Sequence, residues 1–555
     1  MTKTIIAGAL GECVHVAGVS NFLRLAETAG WKTRFLGPAI PIEEFLKEAD
    51  KEAAALKKDD DLLIGISYRL TPETGERLLG EFAEEASALH EKGVRFVFGG
   101  TPPVVEKARN LQFFEQVFDG SESAEQVLAY LKGLPAGEQS ETDFPQQTIE
   151  RILWRKPFPL LRHHFGLPTM EETLEGIKKI AEAQALDLIS LGTDQDAQEN
   201  LFHPERQDPR RRGAGGVPIR TAEDLEMLYE VSRTGNYPLL RAYSGTDDFI
   251  QYAELLTRTI HNAWCAIPLF WFNKMDGRGP WDLKGSIHEH QKVMAWYGER
   301  DIPVELNEPH HWGMRDASDV VFTTAAYLAA YNAKRFGVKD YIAQMMFNSP
   351  PGLSDAMDLA KMLAVLELIH PLEDGNFHIW RQTRIGLLSH PLDPDAARGH
   401  LAAATYLQMS LKPDIYHIVG HTEAHHAATA DDVIEASKIV KRAITNALGA
   451  PDMSSSPAVQ ARKGYLVKET RYLLKKIQAL APDDVIDPLI DPSTLTKAVT
   501  SGLLDAPQLK NNPYGLGRVR TRIINGACVE VDESGEPISQ YEKANLQLLE
   551  SMKGK

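Results

Sequence analysis

Between residues 158 and 419 the chain alternates apolar, strand-forming runs with amphipathic helical stretches, and that alternation leaves few folds open to it. The runs are Phe158–Arg162, Leu186–Leu191, Pro238–Ala242, Trp264–Trp271, Val304–Leu306, Tyr341–Phe347, Phe377–Ile385 and Ile415–Val419. Stretches such as Met170–Ala183, Thr221–Arg233 and Asp247–Thr259 carry helical spacing between them. Strands joined by helices pair in parallel, because a parallel connection has to travel the length of the sheet. Eight such units predict a (β/α)8 TIM barrel, with an open doubly wound sheet as the alternative.

A shorter series of the same kind comes first. Thr4–Leu10, Leu62–Ser67 and Val94–Gly100 read as buried parallel strands. The first runs into the loop Gly11-Glu12-Cys13-Val14-His15-Val16-Ala17-Gly18, after which Phe22, Leu23, Leu25 and Ala26 mark one helix face. His15, Ser67 and Gly99-Gly100 therefore fall at the carboxyl ends of strands, the edge where open α/β sheets bind ligands. Pro135-Ala136-Gly137-Glu138-Gln139-Ser140-Glu141-Thr142 is polar and turn-rich. The expected organisation is a nucleotide-fold unit over 1–134, a linker over 135–150, the barrel over 151–450 and a C-terminal extension over 451–555. The extension is expected to hold a long helix, Val459–Leu480, and short strands at Arg518–Ile524 and Cys528–Val531.

A formal charge of −17 argues against a nonspecific nucleic-acid binder, which needs a basic face. Cys13, Cys265 and Cys528 are too far apart for a disulfide framework or a zinc spacing. No signal peptide and no run long enough to span a membrane is visible, so a cytoplasmic protein without a membrane partner is expected.

The trio His15-Val16-Ala17-Gly18, Ser67 and Gly99-Gly100 resembles the cobalamin-binding domain of the methionine synthase, methylmalonyl-CoA mutase and glutamate mutase group. That resemblance implies a flavodoxin-like (Rossmann-like) fold, with His15 as the lower ligand of cobalt, a role suited to a neutral imidazole. Ser67 would hydrogen-bond the displaced nucleotide tail, Gly99 and Gly100 would leave it room, and Cys13 and Gly18 would belong to the same cofactor site. Two positions depart from the family pattern. Cys13 stands where the family has an aspartate that bonds the histidine, and Arg69 where it has a leucine. A thiol at position 13 is a weak substitute for a carboxylate.

Beyond the linker the chain resembles the catalytic subunit of glutamate mutase, here fused behind its small partner. The resemblance implies substrate-carboxylate roles for Arg162 and for Arg241 in Leu239-Leu240-Arg241-Ala242-Tyr243-Ser244-Gly245-Thr246. It implies that Glu423, in Ile418-Val419-Gly420-His421-Thr422-Glu423-Ala424, contacts the adenosyl ribose. Asn307-Glu308-Pro309 resembles the end of the family's fifth strand. Where the family has a third arginine, this chain has the acidic stretch Thr193–Asn200, read either as a solvated loop or as a substrate contact. Where the family has an amine-binding glutamate, the chain has Pro268-Leu269-Phe270-Trp271-Phe272-Asn273-Lys274.

Histidines crowd the expected strand ends: His163-His164, His310-His311, His378, His390, His421 and His425-His426. They are expected to line a polar chamber, with a second metal as the alternative. The sequence thus points to an adenosylcobalamin-dependent radical isomerase, a homodimer, acting on a small carboxylic or amino acid other than glutamate. A corrinoid methyltransferase or methyl carrier, and a non-catalytic cobalamin sensor, are the alternatives.

Overall fold

The computed structural model describes residues 2–55, 57, 60–122, 124–133 and 140–543. The chain forms two compact units, Met1–Glu138 and Gln139–Lys555. Residues 135–139 of the expected linker lie outside the described residues. Its remainder is structured, with a 3-10 turn at Glu141–Asp143 and the start of a helix at Thr148–Arg155.

The first unit is a five-stranded parallel sheet. Its strands are β1 (Lys3–Leu10), β2 (Lys32–Ile40), β3 (Asp61–Tyr68), β4 (Arg95–Gly100) and β5 (Gln116–Phe118), in the order β2-β1-β3-β4-β5. The chain reverses its direction of travel across the sheet between β1 and β3, so their carboxyl ends flank the crevice of a doubly wound sheet. β1 carries Ile5, Ile6, Ala9 and Leu10 with no exposure, as a strand covered on both faces requires. Phe45, Phe82, Phe96 and Phe98 fill the same core.

The second unit holds β6 (Leu160–Phe165), β7 (Leu188–Leu191), β8 (Leu239–Arg241), β9 (Cys265–Ile267), β10 (Val304–Leu306), β11 (Asp340–Phe347), β12 (His378–Ile385) and β13 (Ile415–Ile418). All eight are parallel, in the ladder order β8-β7-β6-β13-β12-β11-β10-β9. Two backbone bonds bring the outer strands together: Ala263 N–H to Leu240 O at 2.9 Å and Ser244 N–H to Ala266 O at 3.4 Å. The Asn262 side chain stitches the same seam, accepting from Ala242 N–H at 3.0 Å and donating to Trp264 O at 3.1 Å. The result is a nearly closed eight-stranded barrel.

Several helices around it open on side-chain caps. Thr169, Thr221, Asp282, Ser318, Ser354, Asp393 and Thr429 each accept from a backbone N–H in the first turn. Such a cap satisfies a donor that the helix itself leaves unpaired. The C-terminal segment belongs to this same unit. Its helix Pro457–Gln478 buries Leu466, Leu473 and Ile477 in the barrel's outer core. Arg462 pairs with Asp319 at 2.8 Å, and Thr323 and Thr470 share a hydrogen bond at 2.5 Å. The hairpin β14 (Thr521–Ile524) and β15 (Ala527–Glu530) follows. No described helix is long and apolar enough to cross a membrane.

Candidate functional site

In the first unit, register fixes three of the expected residues. Ser67 pairs with Ala9 on β1 and with Gly99 on β4, so the ends of β1, β3 and β4 lie side by side. The loop after β1 is pinned by Gly11 N–H to Ile40 O at 2.8 Å and Ala39 N–H to Cys13 O at 2.9 Å. His15 and Gly18 are exposed, and Ser67, Gly99 and Gly100 are partly exposed. Cys13 differs from them. It is fully buried beside Leu10 and Ile40, so its thiol has no surface to offer a cofactor while the loop keeps this form. No hydrogen bond joins it to His15 among the described residues.

The glycines separate into two kinds. A Cβ on Gly100 would lie 2.7 Å from Tyr68 O and 2.8 Å from the Phe98 ring, so packing within the chain demands glycine there. A Cβ on Gly99 or Gly18 would meet nothing within 4 Å, and neither has a positive φ. Gly18 stands at the second position of helix Ala17–Thr28, where glycine costs up to about 1 kcal/mol relative to alanine. Neither conformation nor packing asks for glycine at these two positions, which leaves clearance for something outside the chain.

The second unit has a polar interior. Strand residues two apart face the same side, and in such a barrel alternate strands contribute the members of one layer. At the amino end, Leu160, Leu239 and Trp380 pack with Leu188, Trp264, Ile342 and Ile415 into an apolar plug. Two residues further along, β6, β8, β10 and β12 contribute Arg162, Arg241, Glu305 and Gln382, each with no exposure. Two residues beyond lie His164, Tyr243, Asn307 and Arg384.

Arg162 and Arg241 are held from several sides. Ser190 Oγ accepts from Arg162 Nη1 at 3.1 Å and from Arg241 Nε at 2.9 Å. Glu305 Oε2 lies 3.8 Å from Arg162 Nη1 and 3.3 Å from Arg241 Nη1, and accepts from Trp264 Nε1 at 2.7 Å. Arg162 Nη2 donates to His417 Nδ1 at 2.6 Å, which places the imidazole proton on Nε2. Burial, with Arg241 alongside, lowers Arg162 to about 9, so it stays charged at neutral pH. Burial and the arginines push His164 and His417 well below the usual histidine range, so both are neutral. His164 stacks on Tyr243 at 5.5 Å. Arg162 Nε, Arg241 Nη2, Asn307 Oδ1 and Gln344 Oε1 are buried without a hydrogen-bond partner among the described residues. Native interiors rarely leave so many polar atoms unpaired unless water or a ligand meets them.

Several expectations change here. Arg162 is not the last residue of the first barrel strand, as the run Phe158–Arg162 had it; it is the third residue of β6, inside the barrel. Glu305, which neutralises half of the arginine pair, was not among the expected residues. Its signal was a lone acid between Val304 and Leu306 in a run too short to show alternation. The two aspartates of the acidic stretch after β7 are neither solvated nor open to substrate. Asp194 and Asp196 are fully buried, Arg220 pairs with Asp194 at 2.6 Å, and Arg211 pairs with Glu199 at 2.8 Å and Asp196 at 3.4 Å. The aromatic stretch after β9 is outer core, with Phe270 and Trp271 unexposed. Glu308 serves that core, accepting from Leu269 N–H at 2.6 Å, Phe270 N–H at 2.9 Å and Trp312 Nε1 at 2.7 Å. Glu423 is exposed in the loop after β13.

The histidines divide similarly. His310 and His311 are buried and stacked at 4.3 Å, with His310 Nδ1 on Gln344 Nε2 at 3.0 Å. His378 is exposed at the amino end of β12, away from the carboxyl-end mouth. Among the described residues two groups bring metal-type ligands together: His421, Asp432 and Glu435, and His203, Asp247 and Asp248. In the first, Asp432 caps helix Ala430–Ala447 and Glu435 pairs with Arg398 at 2.5 Å, so both acids already have partners.

No protein-family model and no curated protein matches the chain. Solved structures similar to it include a cobalamin-binding protein from Desulfitobacterium hafniense, at 15% identity, TM-score 0.19, covering 24% of this chain and 60% of that one. A rubisco-like protein (MtnW) from Alicyclobacillus acidocaldarius matches at 14% identity and TM-score 0.32, over 61% of this chain and 79% of its own. The cobalamin-dependent S-adenosylmethionine radical enzyme OxsB matches at 10% identity and TM-score 0.18, over 88% and 64%. This chain therefore spans less than two thirds of the length of the first and third of these. At such scores the likenesses carry no weight for function.

Proposed function

We propose that the chain is an adenosylcobalamin-dependent enzyme that rearranges the carbon skeleton of a small carboxylic or amino acid. In this reading the flavodoxin-like first unit holds the corrinoid and the barrel holds the acid. The observation that carries it is the sheet edge. Exposed His15 and partly exposed Ser67 and Gly99 share adjacent strand ends, and open space lies above Gly18 and Gly99.

His15 would ligate cobalt, Ser67 would bond the nucleotide tail, and Gly18 and Gly99 would give it clearance. When bound, adenosylcobalamin supplies a 5′-deoxyadenosyl radical. The barrel residues supply position and a dry interior. Arg162 and Arg241 face Glu305, and the apolar plug around Trp264 seals the floor. His164 and Tyr243 form the wall above, and Glu423 stands at the mouth.

The test is an anaerobic screen of the full chain loaded with adenosylcobalamin against small mono-, di- and amino-carboxylic acids. An electron-spin signal is expected with one acid and not without it. Methyl transfer from methylcobalamin with no such signal would replace the isomerase reading by the methyltransferase. Failure to bind any corrinoid would overturn both.

A further inference from the structure

The barrel interior has a charge imbalance. Arg162, Arg241 and Arg384 are 0%, 0% and 5% exposed, in two consecutive layers. One carboxylate, Glu305, lies in those layers, and it is committed to Arg162 and Arg241. The neighbouring histidines are neutral. A buried cation without an anion is costly, and proteins avoid it unless something supplies the opposite charge.

Arg384 is the guanidinium left over. It follows Gln382 on the inward face of β12, in register with Met346 on β11. Its Nε donates to Ile385 O at 3.3 Å, and no carboxylate among the described residues lies within 4.0 Å of it. Glu423 and, further down the barrel, Glu305 are the acids whose charge acts on it. On the loop after β12, His390 is 8% exposed with both ring nitrogens unpartnered, and His421 on the neighbouring loop leaves Nδ1 unpartnered. These three nitrogens are donors or acceptors at the same mouth with no hydrogen-bond partner among the described residues.

We infer that Arg384 is the docking point for an oxyanion, a carboxylate or phosphate group, on the ligand that enters the barrel at its carboxyl end. Arg162 and Arg241, already shared with Glu305 and Ser190, then shape the floor beneath it rather than forming the primary clasp. A guanidinium fork suits a planar, two-oxygen partner. The inference deepens the proposed function by naming where the acid's charge sits. It needs no corrinoid for its test, so its failure is separate from the failure of that reading.

The experiment follows the thermal midpoint of the full chain, free of cobalamin, against succinate, acetate and inorganic phosphate, with sodium chloride at equal ionic strength as reference. At least one oxyanion is expected to raise the midpoint beyond the chloride reference. A response to the carboxylates alone names a carboxylic acid, and a response to phosphate alone names a phosphorylated ligand. Arg384→Met is expected to weaken the apparent affinity roughly tenfold to a hundredfold, the loss of a charge-assisted bond. In anion-free buffer the same variant is expected to melt no lower than wild type, because it removes an unpaired buried charge. Arg384→Lys, which keeps the charge and loses the fork, is expected to bind with intermediate affinity. No oxyanion response in wild type, or an Arg384→Met protein that titrates like wild type, would overturn the inference. So would an Arg384→Met protein that melts lower without anion, since the arginine would then be a structural partner of Glu423.

Discussion

Arg162 and Arg241, on strands two apart in the barrel, converge on the same oxygen of Glu305, at 3.8 Å and 3.3 Å. All three side chains are fully buried, so the carboxylate is what permits two guanidiniums to stand side by side. Glu305→Gln keeps an acceptor for Trp264 but removes the charge. Breaking a buried pair in this way costs about 3–5 kcal/mol. Urea unfolding of the variant is expected to show a loss of that size. A loss under about 1 kcal/mol, the worth of an exposed pair, would contradict the arrangement.

The two kinds of glycine at the first sheet edge give opposite expectations. Gly100→Ala pushes a methyl group against Tyr68 O at 2.7 Å and is expected to destabilise the first unit by about 1–3 kcal/mol, as overpacking does. Gly99→Val meets open space and is expected to leave the melting curve within about 0.5 kcal/mol of wild type. It is nevertheless expected to weaken corrinoid binding by filling the clearance. Parallel melting and binding curves decide this; equal destabilisation by both variants would contradict it.

Buried neutral imidazoles set the acid limit of stability. Burial lowers His163 and His290 to about 4 from the ordinary 6.5. Each contribution is therefore present above 6.5 and lost as pH falls toward 4, up to about 3 kcal/mol apiece. Glu308 acts in the other direction. Burial raises it from 4.5 to about 7, so its contribution is complete below 4.5 and lost as pH rises through 7. Urea midpoints are expected to fall between pH 7 and pH 5, more steeply in Glu308→Gln. Midpoints that rise or stay level over that range would contradict the neutral histidines.

The eight barrel strands were legible because parallel strands sheathed in helices are written as apolar runs between amphipathic helices. Val304–Leu306 matched to the residue. Trp264–Trp271 shortened to Cys265–Ile267, since Leu269 to Phe272 are buried by packing and not by pairing. The interior was less legible. Sequence position could bring Arg162 and Arg241 to the barrel, but Glu305 sits singly in its strand and Arg384 shares β12 with Arg381, and which of them face one another depends on layers formed across strands far apart in the chain. The acidic loop was misread for the same reason. Arg220 and Arg211, which bury Asp194 and Asp196, come from beyond the helix that follows.

The most direct measurement is the absorption spectrum of the full chain and of His15→Ala titrated with adenosylcobalamin. His15 is exposed, so the variant is expected to fold like wild type. Wild type is expected to bind with the cofactor's own base displaced and an imidazole in its place, and His15→Ala to lose that imidazole-ligated spectrum. A wild type that binds no corrinoid, or a His15→Ala protein with an unchanged spectrum, would contradict the assignment of His15.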